Sequence, residues 1–240
     1  MKNLLAKSRT LLTNLVRKSS KSVILSCIKV VSLVLFITIF SVKAPEMHLG
    51  YVRESVKERI VIVTADGSGG GTGFYVKGAS GDTVIVTNKH VCGLDASKSL
   101  FIVGNDGSVR SKRILELSIR HDLCILEPSD KRIEGLDLSD SKPDIGDTIA
   151  IVGHPHLTPL QVSKGIYNGE SEVAILFAAF MGLSPVLTVG WTDASAYPGN
   201  SGSPVVDFYG NVIGVLFAGS APNVNMIVPL DELKLILEAY

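Results

Sequence analysis

From about residue 55 onward the chain is a succession of short apolar runs divided by turn residues. "RIVIVTA", "GTGFYVK", "DTVIVTN", "SLFIVGN" and "DLCILEP" come first. "DTIAIVGHP", "VAILFAAF", "PVLTVGW", "SPVVDF", "NVIGVLFAG" and "VNMIVPL" follow. Many are rich in Val, Ile and Phe, the residue types that suit a pleated, half-buried surface. "DGSGGG", "GASGD", "GNDGS" and "DFYGN" separate them with the Gly, Asn, Asp and Ser of tight turns. Many short strands at this spacing predict an all-β sandwich or barrel. No internal repeat of fixed period is visible, and "SDSKPDIGD" (139–147) is the expected seam between two halves.

Helical periodicity is confined to the two ends. In "PLDELKLILEAY", Leu230, Leu233, Ile236 and Leu237 fall on one face, and Asp231 and Glu232 suit a first turn. At the other end Leu4, Leu5, Leu11, Leu12, Leu15 and Val16 recur at helical spacing among Lys7, Arg9, Arg17 and Lys18. That pattern fits a basic amphipathic helix on a membrane surface or an ordinary positive flank, the latter slightly preferred. Next comes "SVILSCIKVVSLVLFITIFSV", in which Val23 to Val42 is 20 residues interrupted by Lys29. A helix of that length just crosses a bilayer, and Lys29 lies near the basic end, where its side chain reaches the headgroups. The basic cluster predicts a cytoplasmic N-terminus and a body on the exoplasmic side, periplasmic or extracellular. A cleaved signal peptide is the competing reading, with Ala44 before the cut in "SVKAPE". Val42 and Lys43 make a poor small-residue pattern and Pro45 follows at once, so an uncleaved anchor is preferred. The expected layout is a basic cytoplasmic leader (1–21), a transmembrane signal anchor (22–43), a linker (44–54) and a folded body (55–240).

Composition adds one constraint. At 240 residues, 46% hydrophobic and 19% charged, the chain is a folded protein with room for one large domain or two small ones. Its net charge of zero hides an asymmetry: eight basic residues precede the first acid, Glu46. Of 23 basic residues the body keeps 15, against 23 acidic ones, a formal −8 that argues against nucleic acid as a partner. Cys27 lies in the apolar run. Cys92 and Cys124 could pair at an exoplasmic site or stand as two buried free thiols. No CxxC or HxxxH spacing occurs, so neither a metal site nor a cofactor is expected.

The candidate chemistry begins in "AYPGNSGSPVVDFYGNVIGVLFAG" (196–219), where glycines surround Ser201. A nucleophilic hydroxyl needs a base for its proton and donors for the oxyanion it creates. Gly199 and Gly202 permit the sharp turn that would aim the N–H groups of Gly199 and Ser201 at such an oxyanion. Taken alone, a serine in this setting is ordinarily a turn residue. Among the five histidines, His48 reads as linker, His154 and His156 as loop, and His121 as surface. His90 ends the strand "DTVIVTNKHVC", at an edge where an imidazole can face a cleft, though alone it too would more often be structural. Asp122 precedes the run Leu123–Leu126 in "IRHDLCILEP", as a strand cap or as a carboxylate held inside.

The three contexts agree in order and wording with one family. "GTGFYV", "VIVTNKHVC", "HDLCIL", "IAIVGHP", "TDASAYPGNSGSPVV" and "MIVPLDELKLIL" resemble the trypsin-like serine proteases, and among them the HtrA/Deg branch. The resemblance covers roughly residues 55–238. It implies a chymotrypsin-like all-β fold: two six-stranded antiparallel β-barrels, about 55–140 and about 145–228, with a C-terminal helix and the site in the cleft between them. It also implies peptide-bond hydrolysis through an acyl-enzyme, with His90 as general base, Asp122 as its orienting partner and Ser201 as nucleophile. Gly199 and Ser201 would form the oxyanion hole. The implied partners are a protein or peptide substrate and the membrane, and relatives in this branch leave room for a homo-oligomer.

Several positions depart from the pattern. Digestive-type members carry an aspartate before the serine, where this chain has Asn200, so activation by N-terminal cleavage is not expected. Control by loop ordering is expected instead, with "GHPHLTPLQVSKGIYNGE" and "SEVAILFAAFMGL" as mobile loops near the site. The substrate pocket would have Ser195 at its base and Phe217, Ala218 and Gly219 along its wall, favouring small or medium aliphatic side chains over Lys or Arg. Ser203 stands where the branch usually has glycine. The sequence ends about ten residues after "IVPL", so no PDZ domain is expected. The rival reading from another class is a membrane-tethered, catalytically inactive binding module of the same fold. A pore-forming or purely structural membrane protein is disfavoured by a single marginal span attached to so large a body.

Overall fold

The computed structural model describes residues 49–240, apart from 68, 129–132 and 222. The leader and the apolar run at 22–43 lie outside the described residues. Among the described residues no helix is long and apolar enough to cross a membrane.

Residues 49–56 are helical (α1) and lead into the first barrel. Its strands are β1 (Ile60–Thr64), β2 (Gly71–Lys77), β3 (Thr83–Thr87), β4 (Ser99–Gly104), β5 (Val109–Leu117) and β6 (Cys124–Leu126). They close in the order β1-β2-β3-β6-β5-β4, every pair antiparallel. The second barrel holds β7 (Thr148–Gly153), β8 (Gln161–Ala174), β9 (Val186–Thr192), β10 (Pro204–Val206), β11 (Val212–Ala221) and β12 (Val224–Pro229). It closes as β10-β11-β12-β9-β8-β7. Two six-stranded barrels followed by a helix are the architecture that the resemblance implies. The connection between them bridges Val76 through Leu136 and Val212 through Leu138.

Strands β2, β3 and β7 are buried along nearly their whole length because both of their faces are covered. In β2 and β3, Tyr75 and Ile85 enter the first barrel with Val61, Val63, Leu100 and Ile102. Their neighbours Phe74, Val76, Val84 and Val86 join a larger cluster shared with Val152, Val206, Val215 and Val228 of the second barrel. Ile149, Ile151, Ile213 and Ile227 fill the second barrel itself. Burying each such side chain contributes about 1.5–3 kcal/mol, so the shared cluster holds the barrels as one body. The C-terminal helix α4 (Leu230–Leu237) buries Leu230, Leu233, Ile236 and Leu237, the face read from the sequence.

Helix is not confined to the ends. Besides α1, a single turn α2 (Lys89–Cys92) follows β3, and α3 (Leu176–Phe180) joins β8 to β9. Helices this short show no legible period. The run "VAILFAAF" is not one strand: only Val173 and Ala174 pair in β8, while Leu176 and Phe180 are exposed on α3. Two strands escaped the apolar pattern. β5, "VRSKRILEL", has charged outward positions, and β8, "QVSKGIYNGESEVA", contains two glycines. The expected mobile loops over 153–183 are corrected accordingly, since residues 161–174 pair with both β7 and β9.

Candidate active site

β3 ends at Thr87, and Asn88 in extended conformation turns the chain into α2. That single turn carries His90 to the barrel rim. Asp122 stands two residues before β6, which pairs with β3 through Thr87 and Cys124. The strand pairing therefore brings the two segments side by side. Asp122 is 1% exposed and uses both carboxylate oxygens on His90. Oδ1 accepts the backbone N–H of His90 at 2.9 Å, and Oδ2 lies 2.5 Å from Nδ1. The ring faces a carboxylate through Nδ1, so in the neutral imidazole the favoured tautomer has the proton on Nδ1 and the lone pair on Nε2. The imidazole remains 32% exposed. Asp122 is thus a carboxylate held in the interior rather than a cap.

Three further contacts fix this pair. Asn88 Nδ2 donates to Asp122 O at 2.8 Å. The buried ammonium of Lys89 donates to Ser118 O at 2.8 Å; burial pushes its pKa down, and the charge of Asp122 partly opposes this. Cys92 and Cys124 are bonded to each other, which resolves the alternative of two free thiols.

Ser201 lies between β9 and β10 of the second barrel, flanked by Gly199 (φ +94°) and Gly202 (φ +85°). Both glycines are required. A Cβ on Gly202 would stand 2.2 Å from Thr72 O and 2.3 Å from Thr87 Oγ1, and one on Gly199 would stand 2.5 Å from His154 O. The close approach of Gly202 to Thr87 and Asn88 sets the serine loop against the base of α2, the turn that carries His90. No hydrogen bond joins the Ser201 hydroxyl to the imidazole among the described residues; unliganded sites often leave this contact long until substrate fills the cleft.

Four consecutive carbonyls of the loop are held. Pro198 O accepts from His156 N–H at 2.5 Å, Gly199 O from Thr72 Oγ1 at 2.8 Å, Asn200 O from Ser203 N–H at 2.9 Å and Ser201 O from Thr72 N–H at 2.8 Å. In a trans peptide the N–H points opposite to the preceding C=O. Holding Pro198 O and Asn200 O therefore aims the N–H groups of Gly199 and Ser201 to the other side. Neither N–H has an acceptor among the described residues. Two free, fixed donors beside a serine can stabilise a developing oxyanion.

The other histidines take different places. His121 is buried rather than at the surface, 3.9 Å from Glu232 Oε1; burial lowers its pKa and Glu232 opposes this. His154 is buried too, its Nδ1 2.9 Å from Thr158 O, and burial again lowers its pKa. His156 is exposed at φ +53° with its ring 5.7 Å from that of Tyr197. His48 lies outside the described residues.

Of the expected pocket residues, Ser195 Oγ donates to Asn223 Oδ1 at 3.1 Å. Phe217 is 3% exposed and packs in the shared core, with Ala218 against the same cluster and Gly219 exposed at the end of β11. Two residues here escaped the sequence reading. Asn225 is buried opposite Gly219 and donates to Ala194 O at 2.7 Å; a lone polar residue in "VNMIVPL" was its signal. Thr72 is fully buried in β2; it was read only as part of the strand "GTGFYVK".

Comparison with known proteins follows the same lines. A family model described as trypsin-like peptidase domain matches residues 71–215. The chain is 26% identical over 179 residues to the serine protease Do-like HtrA of Bacillus subtilis, covering 71% of this chain and 39% of that protein. It is 31% identical over 177 residues to a probable periplasmic serine endoprotease, DegP-like, of Bartonella henselae, covering 70% of this chain and 32% of that protein. It thus spans less than two fifths of the length of either relative. In fold it is similar to the serine endoprotease of Yersinia pestis, with a TM-score of 0.64 at 19% identity, over 80% of this chain and 65% of that one.

Proposed function

Because the chain belongs to the trypsin-like peptidase domain family, we propose that it is an HtrA-type serine endopeptidase that cleaves a protein or peptide substrate through an acyl-enzyme. Ser201 is the nucleophile, His90 the general base, Asp122 its orienting partner, and the N–H groups of Gly199 and Ser201 the oxyanion hole. The observation that carries this reading is the two-point hold of buried Asp122 on His90. It presets the tautomer that a general base needs, with the accepting nitrogen on the open edge of the ring.

The steps follow from these groups. Ser201 Oγ attacks the scissile carbonyl and its proton passes to His90 Nε2. The imidazolium so formed is stabilised by the charge of Asp122, while the carbonyl oxygen, now negative, accepts from the two free N–H groups. His90 then protonates the leaving amine, and water repeats the sequence on the acyl-enzyme. Ser195, Ala218 and Gly219 line the pocket for the residue before the cut; the expected wall residue Phe217 is instead buried in the shared core. With no acid at its base, that pocket takes small or medium aliphatic side chains.

The same reading places residues 1–21 in the cytoplasm, 22–43 across the membrane and the body on the exoplasmic side; the expected linker 44–54 is corrected from residue 49, where α1 begins and Val52 is buried in the core. The 20-residue apolar run and the basic leader support this placement. The word "periplasmic" in the name of the Bartonella relative agrees.

The decisive experiment is Ser201→Ala in the full chain, with casein cleavage and fluorophosphonate labelling as readouts. Both are expected in the wild type and absent in the variant. Cleavage by the variant overturns the assignment, and an unlabelled, inactive wild type establishes the binding-module alternative. For the anchor, full-length mass in the membrane fraction is expected; a soluble form beginning near residue 45 overturns it.

A further inference from the structure

We propose that Thr72 is a positioning residue of the oxyanion hole, through which the first barrel braces the nucleophile loop of the second. This rests on the serine endopeptidase reading. His90 and Asp122 belong to the first barrel and Ser201 to the second, so the chemistry depends on how the two are registered. Thr72 sits in β2, on the first barrel, yet two of the four carbonyl holds on the loop come from it. Its hydroxyl donates to Gly199 O and its N–H to Ser201 O, both at 2.8 Å. These carbonyls belong to the peptide planes that follow the two hole donors, so Thr72 fixes the alternate planes of the loop and, through His154, the segment whose His156 N–H holds Pro198 O. The other two holds, from His156 and Ser203, arise within the second barrel.

The hydroxyl has no freedom left. While donating to Gly199 O it accepts the N–H of His154 at 3.0 Å, from the loop that also binds Pro198 O. Thr72 O accepts Thr87 Oγ1 at 2.7 Å, one turn before His90. One buried residue, through its hydroxyl and its backbone, thus links the start of the histidine segment, the serine loop and the loop after β7. The need is physical: Gly199 and Gly202 give the serine loop its turn but no rigidity of their own. A hole is effective only when its donors are fixed before reaction. Removing the hydroxyl leaves Gly199 O without a donor and His154 N–H without an acceptor, while the bond from Thr72 N–H to Ser201 O remains. The serine should therefore stay in place as the hole loosens.

The test compares Thr72→Val, which keeps shape and loses the hydroxyl, with Thr72→Ser, which keeps the hydroxyl. Ser201-dependent turnover of a peptide ester is first established in the wild type; its absence sinks the endopeptidase reading and this proposal with it, whereas the Thr72 variants test this proposal alone. Thr72→Val is expected to lower kcat by about 10- to 100-fold, the scale of losing or misplacing an oxyanion donor, with KM little changed. Affinity for a peptide boronate, whose oxygen occupies the hole, should fall by a similar factor, and Thr72→Ser should restore both. Thr72→Ala, assayed below its melting transition, should share the kcat loss and covers the case in which the valine variant does not fold. Wild-type kcat in Thr72→Val or Thr72→Ala overturns the proposal, as does a serine variant as impaired as the valine one.

Discussion

Cys92 is bonded to Cys124, and each stands two residues beyond a member of the His90–Asp122 pair. The cross-link therefore staples α2 to β6 beside the contact on which the proposed base depends. The bond closes a separation of 32 residues, which by chain entropy alone contributes about 3–4 kcal/mol. Urea denaturation of Cys92→Ala/Cys124→Ala should show a loss of that order. A loss below about 1 kcal/mol would mean that the barrel already holds the two segments together.

Asp122→Asn should keep the fold and lose about 10⁴-fold in kcat. The amide Oδ1 can still accept His90 N–H, but an NH₂ group facing Nδ1 forces the proton onto Nε2, the nitrogen that must accept. Unchanged circular dichroism with a collapsed burst phase is the expected pair of observations. Near-wild-type turnover would remove Asp122 from the proposed mechanism.

Acid should destabilise the protein before it reaches the carboxylate range. Burial depresses the folded pKa of both His121 and His154 below 6.5. As pH falls through 6.5 the unfolded chain protonates first, so it binds more protons and folding weakens. That stability is fully present above 6.5 and declines below it, by up to about 1.4 kcal/mol per pH unit for each histidine. The effect of Glu232 has the same sign at lower pH: its folded pKa is depressed, chiefly by the hydrogen bond from Arg120 and also by the nearby His121. Denaturation midpoints at pH 7.5 and 5.5 should differ, and His121→Gln/His154→Gln should flatten the slope. Equal slopes in variant and wild type would refute this account.

Gly202→Ala should be among the most damaging single changes. The site has φ +85° and a Cβ there meets Thr72 O at 2.2 Å, so strain and clash combine. A stability loss of about 2 kcal/mol or more is expected, along with loss of fluorophosphonate labelling. A fully labelled, stable variant would mean that the loop relaxes without consequence.

A peptide library should reveal preference for small or medium aliphatic residues before the cut, because Ser195, the proposed base of the pocket, carries no charge. Strong preference for Arg would contradict this lining.

The apolar runs already announced most of the strands, and the reason lies in packing. β2, β3 and β7 are covered on both faces, so most of their positions are apolar and the runs stand out. The α4 face was equally plain, since four buried residues recur with helical period. β5 and β8 were hidden because one face meets solvent and carries Arg, Lys and Glu. His90, Asp122 and Ser201 were legible only through the wording of their surroundings, since each alone fits a structural role.

By itself, then, the order of residues along the chain determined an all-β body, its closing helix and the three segments where chemistry could reside. Those are local properties, set by side-chain type and by the turns that glycine allows. The tertiary structure alone decided that Cys92 finds Cys124, that His121 is buried while His90 keeps an open edge, and that Thr72 reaches across to Gly199. The first and last of these join residues 32 and 127 positions apart, and contacts at such range arise only from strand pairing and from the meeting of two barrels.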